Sequence, residues 1–387
     1  MASIPNLPPG TAPTLALVHP TEQEKQIQFR LNSVEWRGAL SPEAYLHREA
    51  ELSKQELTRD GGITYWILVD TAQHNALNPT SKSRLPLASC ETYRKRALVW
   101  RDGKVQEIIS HGIGSVFCAP HLRKKGYAGR MLQELGTALK THQTEDKECL
   151  FSILYSDIGK KFYAGFGWEP FNSSHVAIPG TASDRAAGEL PAAQPLYAED
   201  LQELCELDES LLRKELESRS EGSRIAVALV PDIQTIRWHH VREDFVAAEL
   251  HGKPPKVKGA IVGSEKGKRA WCYWTRMWGN ENPQETKGNT FHILRFVVEE
   301  NFEGDVATAK AAMLSMAQKE AQEWGLEHVE AWNPSPDTVA AAQKLYPQAE
   351  VVDRDTESIT CLQWFPEHSG NIAESIDWVS NEKYGWC

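Results

Sequence analysis

The stretch HLRKKGYAGRML, residues 121–132, gathers residue types suited to holding an anion. Arg123, Lys124 and Lys125 supply positive charge, while Gly126, Ala128 and Gly129 around Tyr127 supply bare backbone. Met131, Leu132, Leu135 and Leu139 then recur at helical spacing, so a helix starts within this turn. A helix N-terminus presents unpaired N–H groups and about half a positive charge. Small residues let an anion approach those groups closely, and a phosphate is the natural ligand. Two nucleotide-binding patterns fail on spacing. A P-loop needs Gly-Lys-Ser/Thr, whereas Gly126 is followed by Tyr127; the glycines of a GxGxxG turn would be Gly112 and Gly114, which fall too early and inside a strand.

The elements around the turn must position it. VQEIISHGIGSVFCAP (105–120) reads as a long strand, and its glycines mark a bulge or a close backbone approach. CLFSILYS (149–156) reads as a buried strand, and GKKFYAGFGW (159–168) holds a short helix. Upstream, ITYWILVD (63–70) and ETYRKRALVWRDG (91–103) have the aromatic and β-branched content of strands. Two helices come before them, the second with Ser41 as N-cap and Pro42 in its first turn.

RKKGYA (123–128) resembles the R/Q-x-x-G-x-G/A turn of the GNAT acyltransferases. GSVFCAP is similar to that family's fourth strand, and LYSDIGKKFYAGFGW to its N-x-x-A-x-x-x-Y-E-K-x-G-F hallmark. The resemblance covers roughly residues 90–170. It implies a GNAT fold in which acetyl-CoA is the co-substrate. The backbone from Arg123 through Lys124, Lys125, Gly126, Tyr127 and Ala128 to Gly129 would hold its pyrophosphate. Val116, Phe117 and Cys118 would line the pantetheine arm, with Ser156 replacing the usual pantetheine-contacting asparagine. Tyr163 falls on the family's tyrosine, the proton donor to the departing thiolate. The family's base position falls on Gly114, which cannot act. His111, the closest titratable group on that strand, is one candidate base. The free carboxylate of Cys387 is another, because WVSNEKYGWC is aromatic enough to dock in a cleft. A base is needed because a lysine ammonium, with pKa ~10.4, must lose a proton before it attacks. Cys118 is expected to be a packed residue and not a nucleophile.

The wider chain resembles the fungal lysine N6-acetyltransferases of lysine catabolism through LVHPTEQEK, YWILVD, ALVWRDG, IGSVFCAPHLRKKGYAGRML and NEKYGWC. This implies acetyl transfer to the side-chain amine of free L-lysine by direct attack. The alternatives are a protein N-terminal or protein-lysine acetyltransferase, and a non-catalytic acyl-CoA-binding module.

With 387 residues, 41% of them apolar, the chain is long enough for two domains. A linker rich in Pro, Ala, Gly and Ser (178–195) separates an expected catalytic GNAT domain, 1–177, from a second domain, 196–387. The second half repeats the first half's order of strands and helices, which reads as an internal duplication of one α/β fold. Its counterpart of the basic turn carries Glu299, Glu300, Glu303 and Asp305, so this degenerate GNAT-like domain should bind no coenzyme A but contribute to the acceptor site. The strand WCYWTRMWG could close that site, although a packed core strand is the simpler reading. His239 and His240 are helix neighbours and point apart. The seven cysteines are scattered without a CxxC pair, so neither a metal site nor a disulfide framework is signalled. A net charge of −11 argues against nucleic-acid or anionic-membrane partners. No secretory signal, membrane span or peroxisomal tripeptide is legible, and a cytoplasmic protein acting on a small-molecule amine is expected.

Overall fold

The computed structural model describes residues 7–181 and 190–386. The first half runs β1 (Leu15–Val18), α1 (Glu22–Trp36), α2 (Pro42–Leu52), β2 (Ile63–Asp70), β3 (Ala88–Arg101), β4 (Lys104–Phe117), α3 (Tyr127–Ala138), β5 (Cys149–Ser156), α4 (Lys161–Ala164), β6 (Glu169–Pro170) and β7 (Ser174–Pro179). After β8 (Ala193–Leu196) come α5 (Leu201–Glu217), β9 (Ile225–Leu229), α6 (Ile233–His251), β10 (Gly259–Val262), β11 (Ala270–Met277) and β12 (Thr290–Val298). The chain continues through α7 (Val306–Glu323), β13 (His328–Trp332), α8 (Pro336–Leu345), β14 (Val351–Asp353), β15 (Ile359–Trp364), α9 (Ile372–Ser375) and β16 (Ile376–Trp378).

Local chemistry explains the elements nearest the site. Thr21 and Glu24 close a capping box at the start of α1, and Ser41 caps α2 ahead of Pro42. Asp102 and Gly103, both at positive φ, turn β3 into β4 as a tight hairpin. Met131, Leu132 and Leu135 are fully buried along one side of α3.

The strands form two sheets, in the orders β1-β2-β3-β4-β5-β15-β6 and β14-β7-β13-β12-β11-β10-β8. Each has the same central pattern. β4 pairs in parallel with β5, and β12 with β13, while the neighbours on either side are antiparallel. The two sheets exchange strands. β15, from the second half, pairs with β5, and β7, from the first half, pairs with β13. β9, another second-half strand, covers residues 97–100 of β3, and β16 pairs with β9. Strands therefore cross the 178–195 segment in both directions, and β7 and β8 occupy its flanks. Exchange covers edges that would otherwise expose unpaired N–H and C=O groups. It also merges the cores. One apolar cluster joins Val99, Ile108 and Phe151 to Trp271, Tyr273, Leu294 and Leu362. No helix among the described residues is long and apolar enough to cross a membrane.

Candidate active site

β4 and β5 pair only as far as Ile113 and Leu154, while β4 continues to Phe117, so the two strands part. The wedge opens into a cavity of about 1110 Å3. One end of the cavity meets the N-terminus of α3. There Lys124 and Gly126 both hold left-handed backbone (φ 65° and 86°) and turn the chain into the helix. Arg123 donates to the Cys118 carbonyl (2.9 Å) and pairs with Glu35 (3.3 Å), which braces the turn against α1. The residues at 7–12 pack on its other side. Gly10 donates to the Lys125 carbonyl (2.7 Å), and the Tyr127 hydroxyl donates to the Pro8 carbonyl (2.5 Å). First-turn N–H groups, left-handed glycine and flanking cations suit a phosphate.

Gly126 and Gly129 serve different needs. A side chain at Gly126 would be strained by its φ and would meet Gly10. A Cβ at Gly129 would collide with the Phe166 ring at 2.5 Å, so this glycine permits close packing of α3 on the segment after α4. Gly126→Glu is expected to abolish acyl-CoA binding and to destabilise the chain by about 1–2 kcal/mol through its left-handed backbone. Unchanged affinity by calorimetry would remove the phosphate role.

Of the residues singled out in the sequence, Val116, Phe117, Cys118, Arg123, Lys124, Gly126, Tyr127, Ala128, Gly129 and Tyr163 line this cavity. Tyr163 is nearly buried, and burial keeps its phenol protonated well above neutral pH. Cys118 is half-buried, its thiol donates to the Leu87 carbonyl (3.3 Å), and burial raises its pKa. Lys125 and Ser156 are not among the lining residues. The Ser156 hydroxyl is used locally, donating to the Gly159 carbonyl (2.7 Å) and accepting from the Ile158 N–H (3.2 Å). Cys387 lies outside the described residues.

His111 is not brought to the cavity. Its ring is fully buried, with Nε2 3.2 Å from Gln143 Oε1 and Nδ1 3.5 Å from Cys149 Sγ. Burial pushes its pKa down to about 4. A carboxyl that does reach the cavity beside Gly114 is Glu91 of β3, which the sequence reading missed. A register shift in β3 between Ser89 and Glu91 sets Glu91 opposite Gly114. The same irregularity puts Ser115 at φ 50°, and its hydroxyl donates to Glu91 Oε1 (2.7 Å). The Tyr93 hydroxyl donates to the same oxygen (2.9 Å). Burial, reinforced by the charge of Glu49, raises the Glu91 carboxyl to about 7 against the pull of these hydrogen bonds and of Arg48. The signal for it was an acid inside the apolar strand ASCETYRKRALVW.

Much of the remaining wall comes from the second half. α6 contributes Trp238 and Arg242, β12 contributes His292, β13 contributes Glu330 and Trp332, and Lys383 and Trp386 follow β16. From the aromatic strand WCYWTRMWG only Met277 reaches the cavity; Trp271 and Trp274 are fully buried core residues. His239 and His240 each bond a backbone carbonyl, of Tyr384 and Trp274 (3.0 Å both).

The corresponding wedge of the second sheet is differently filled. β12 and β13 part beyond Ile293 and Ala331. The segment after β16 lies along the gap, which keeps a smaller cavity of about 490 Å3: Asn333 donates to the Asn381 carbonyl (2.6 Å), and Glu382 accepts from the Phe296 N–H (3.1 Å) and pairs with Arg295 (2.8 Å). A carboxylate of the chain itself thus holds the splayed strand. The α7 N-terminus is capped by the Asp305 side chain, which accepts from the Thr308 N–H (2.7 Å). Titration calorimetry is expected to saturate at one acyl-CoA per chain; two equivalents would show that the second wedge takes one as well.

Residues 175–387 match the family described as the LYC1 GNAT-like C-terminal domain. The chain is a GNAT N-acetyltransferase of this LYC1-like family. Its similarity to a lysine acetyltransferase of Yarrowia lipolytica is 24% identity over 284 residues, covering 63% of this chain and 68% of that one. Among solved structures, a probable N-acyltransferase of Enterococcus faecalis superposes with a TM-score of 0.51 at 15% identity, over 91% of this chain and 73% of that one. N-myristoyltransferase of Saccharomyces cerevisiae, solved with bound myristoyl-CoA, gives a TM-score of 0.52 at 10% identity, over 97% and 92%. These likenesses are of fold. As a GNAT acetyltransferase the protein uses an acyl-CoA, and the wedge and the α3 turn are the parts that suit one.

Proposed function

We propose that this protein transfers the acetyl group of acetyl-CoA to the side-chain amine of free L-lysine. The observation that carries the reading is Glu91: a buried carboxyl poised near neutrality at the mouth of the wedge, inside a cavity walled by both halves of the chain. Such a group accepts a proton from an arriving ammonium, and its charged form favours seating that ammonium. The neutral amine then attacks the thioester carbonyl. The C–N bond forms as the C–S bond breaks, and backbone N–H groups of β4 near Val116 would stabilise the charge on oxygen. Tyr163, kept protonated by burial, gives its proton to the departing thiolate and regains one from the second proton that the nitrogen sheds as the amide forms.

In this reading residues 1–177 supply the acyl-CoA site and the proton transfers, 178–195 connect, and 196–387 supply the acceptor wall. A cavity of mixed charge walled by both halves of the chain would suit a free amino acid, and one distant relative is named a lysine acetyltransferase. A place in cytoplasmic lysine degradation fits the six free cysteines among the described residues. The test is thiol release from acetyl-CoA across a panel of amino acids, polyamines and peptides. L-lysine is expected to give the highest kcat/KM. Preference for a peptide amine would replace this reading with a protein acetyltransferase, and no turnover with any amine would leave an acyl-CoA-binding module.

A further inference from the structure

We infer that Arg242 and Lys383 form a carboxylate-binding subsite in the acceptor cavity, with the indole N–H of Trp238 beside them, and that they select an amino acid over a simple amine. The inference rests on the free-lysine reading above and names the residues that would grip the far end of that substrate.

Both cations line the cavity, and both lie against the ring of Trp386. The Arg242 guanidinium carbon is 5.4 Å from that ring's centroid and Lys383 Nζ is 4.1 Å from it. Lys383 Nζ is also 4.2 Å from the Trp332 centroid, so the ammonium sits between two indoles. Among the described residues neither Arg242 nor Lys383 has an ion-pair or hydrogen-bond partner. Three other buried cations are matched: Arg276 pairs with Glu243 (2.9 Å), Arg295 with Asp208 (2.7 Å) and Lys258 with Glu243 (2.7 Å), whereas Lys95 Nζ is also buried without a partner among the described residues. Lys383 is buried and Arg242 half-buried, and an unmatched charge taken out of water is costly unless a ligand answers it. Trp238 adds a donor. Its ring stands 6.4 Å from that of Trp386, and its Nε1–H is buried without an acceptor among the described residues.

The electrostatics agree. Burial pulls Arg242 down to about 9, and the neighbouring Arg48 charge adds to this. Burial lowers Lys383 to about 7 although Glu330 opposes the change. Among the described residues, these two cations and the free N–H lack an anion. A carboxylate supplies it, with two oxygens for three donors. The ammonium end of the same substrate would face Glu91, so one cavity would read both ends of a diamino acid.

The test compares kcat/KM for L-lysine, L-lysinamide and 1,5-diaminopentane in the full-length wild type, Arg242→Gln and Lys383→Met. Methionine keeps an apolar stem between the two indoles. The wild type is expected to prefer L-lysine over both analogues. Each variant is expected to lose roughly 10²-fold on L-lysine, mostly through KM, as for one lost partner of a buried charge pair. Losses on the two analogues should be far smaller, so the preference collapses. Calorimetry with acetyl-CoA reports whether the fold and the first binding site survive. Parallel losses on all three amines, or full L-lysine activity in either variant, would overturn the subsite while leaving the lysine reading intact. A wild type that ignores L-lysine but turns over another amine would overturn the lysine reading and the subsite with it.

Discussion

Glu91→Gln is expected to lower kcat by roughly 10²–10⁴-fold, the range for loss of a positioned general base. Glutamine keeps the size of the side chain and can still accept from Ser115 and Tyr93, so the bulge between β3 and β4 should persist. Affinity for acetyl-CoA should barely change, because the turn before α3 is untouched. The pH dependence gives a sharper test. Burial holds the Glu91 carboxyl up to about 7. Above that pH it is a carboxylate and can take the amine's proton; below it the group is neutral. In the wild type kcat/KM should therefore fall by about tenfold per pH unit on the acid side of about 7. In the glutamine variant this limb should vanish along with most of the rate. A variant that keeps both the wild-type rate and the acid limb would show that Glu91 is only a buried structural acid.

Tyr163→Phe should act at the other end of the reaction. The change removes one hydroxyl and little volume, and the ring keeps its edge contact with Phe162 (5.2 Å between centroids). If the phenol protonates the thiolate, single-turnover acetyl transfer should slow by roughly 10²–10⁴-fold with acetyl-CoA binding intact. A thioester with a more acidic leaving thiol needs less help, so the defect should shrink with such a donor. A wild-type single-turnover rate would reduce Tyr163 to packing. The two variants also separate from each other: the glutamine variant alters the acid limb of kcat/KM, and the phenylalanine variant should leave it in place.

Much of the local structure was legible in the chain. ITYWILVD and CLFSILYS form strands over the residues expected, because a run of β-branched and aromatic side chains between turn residues has few alternatives. The turn at Arg123–Gly129 was legible because its signal is contiguous: cations, glycines and an apolar stripe within one helical turn of each other. The joint between the halves was not. The composition of 178–195 says that little there can be buried, but it says nothing about which sheet β7 or β15 will join. The segment of β15 reads locally as an ordinary strand and that of β7 runs into the expected linker, and their partners lie in the opposite half of the chain.

The candidate base shows the same division within the site. Attention to β4 led to His111, because it is the titratable group nearest Gly114 in sequence. The fold buries that ring among Gln143, Cys149 and His142, where burial disfavours its charged form. Glu91 reaches the wedge from the neighbouring strand through a register shift, and register is a property of two strands that neither one encodes alone. Arg242 and Lys383 likewise carry no motif. They matter because the exchange of β7 and β15 brings the second half over the first and leaves two cations facing a shared cavity. By itself the sequence determined many of the elements, the basic glycine turn at Arg123–Gly129 and the short helix that carries Tyr163, each written in neighbouring residues. Only the tertiary structure decided the strand exchange, the cavity wall built from the second half and the placement of Glu91, because each depends on pairing between segments far apart in the chain.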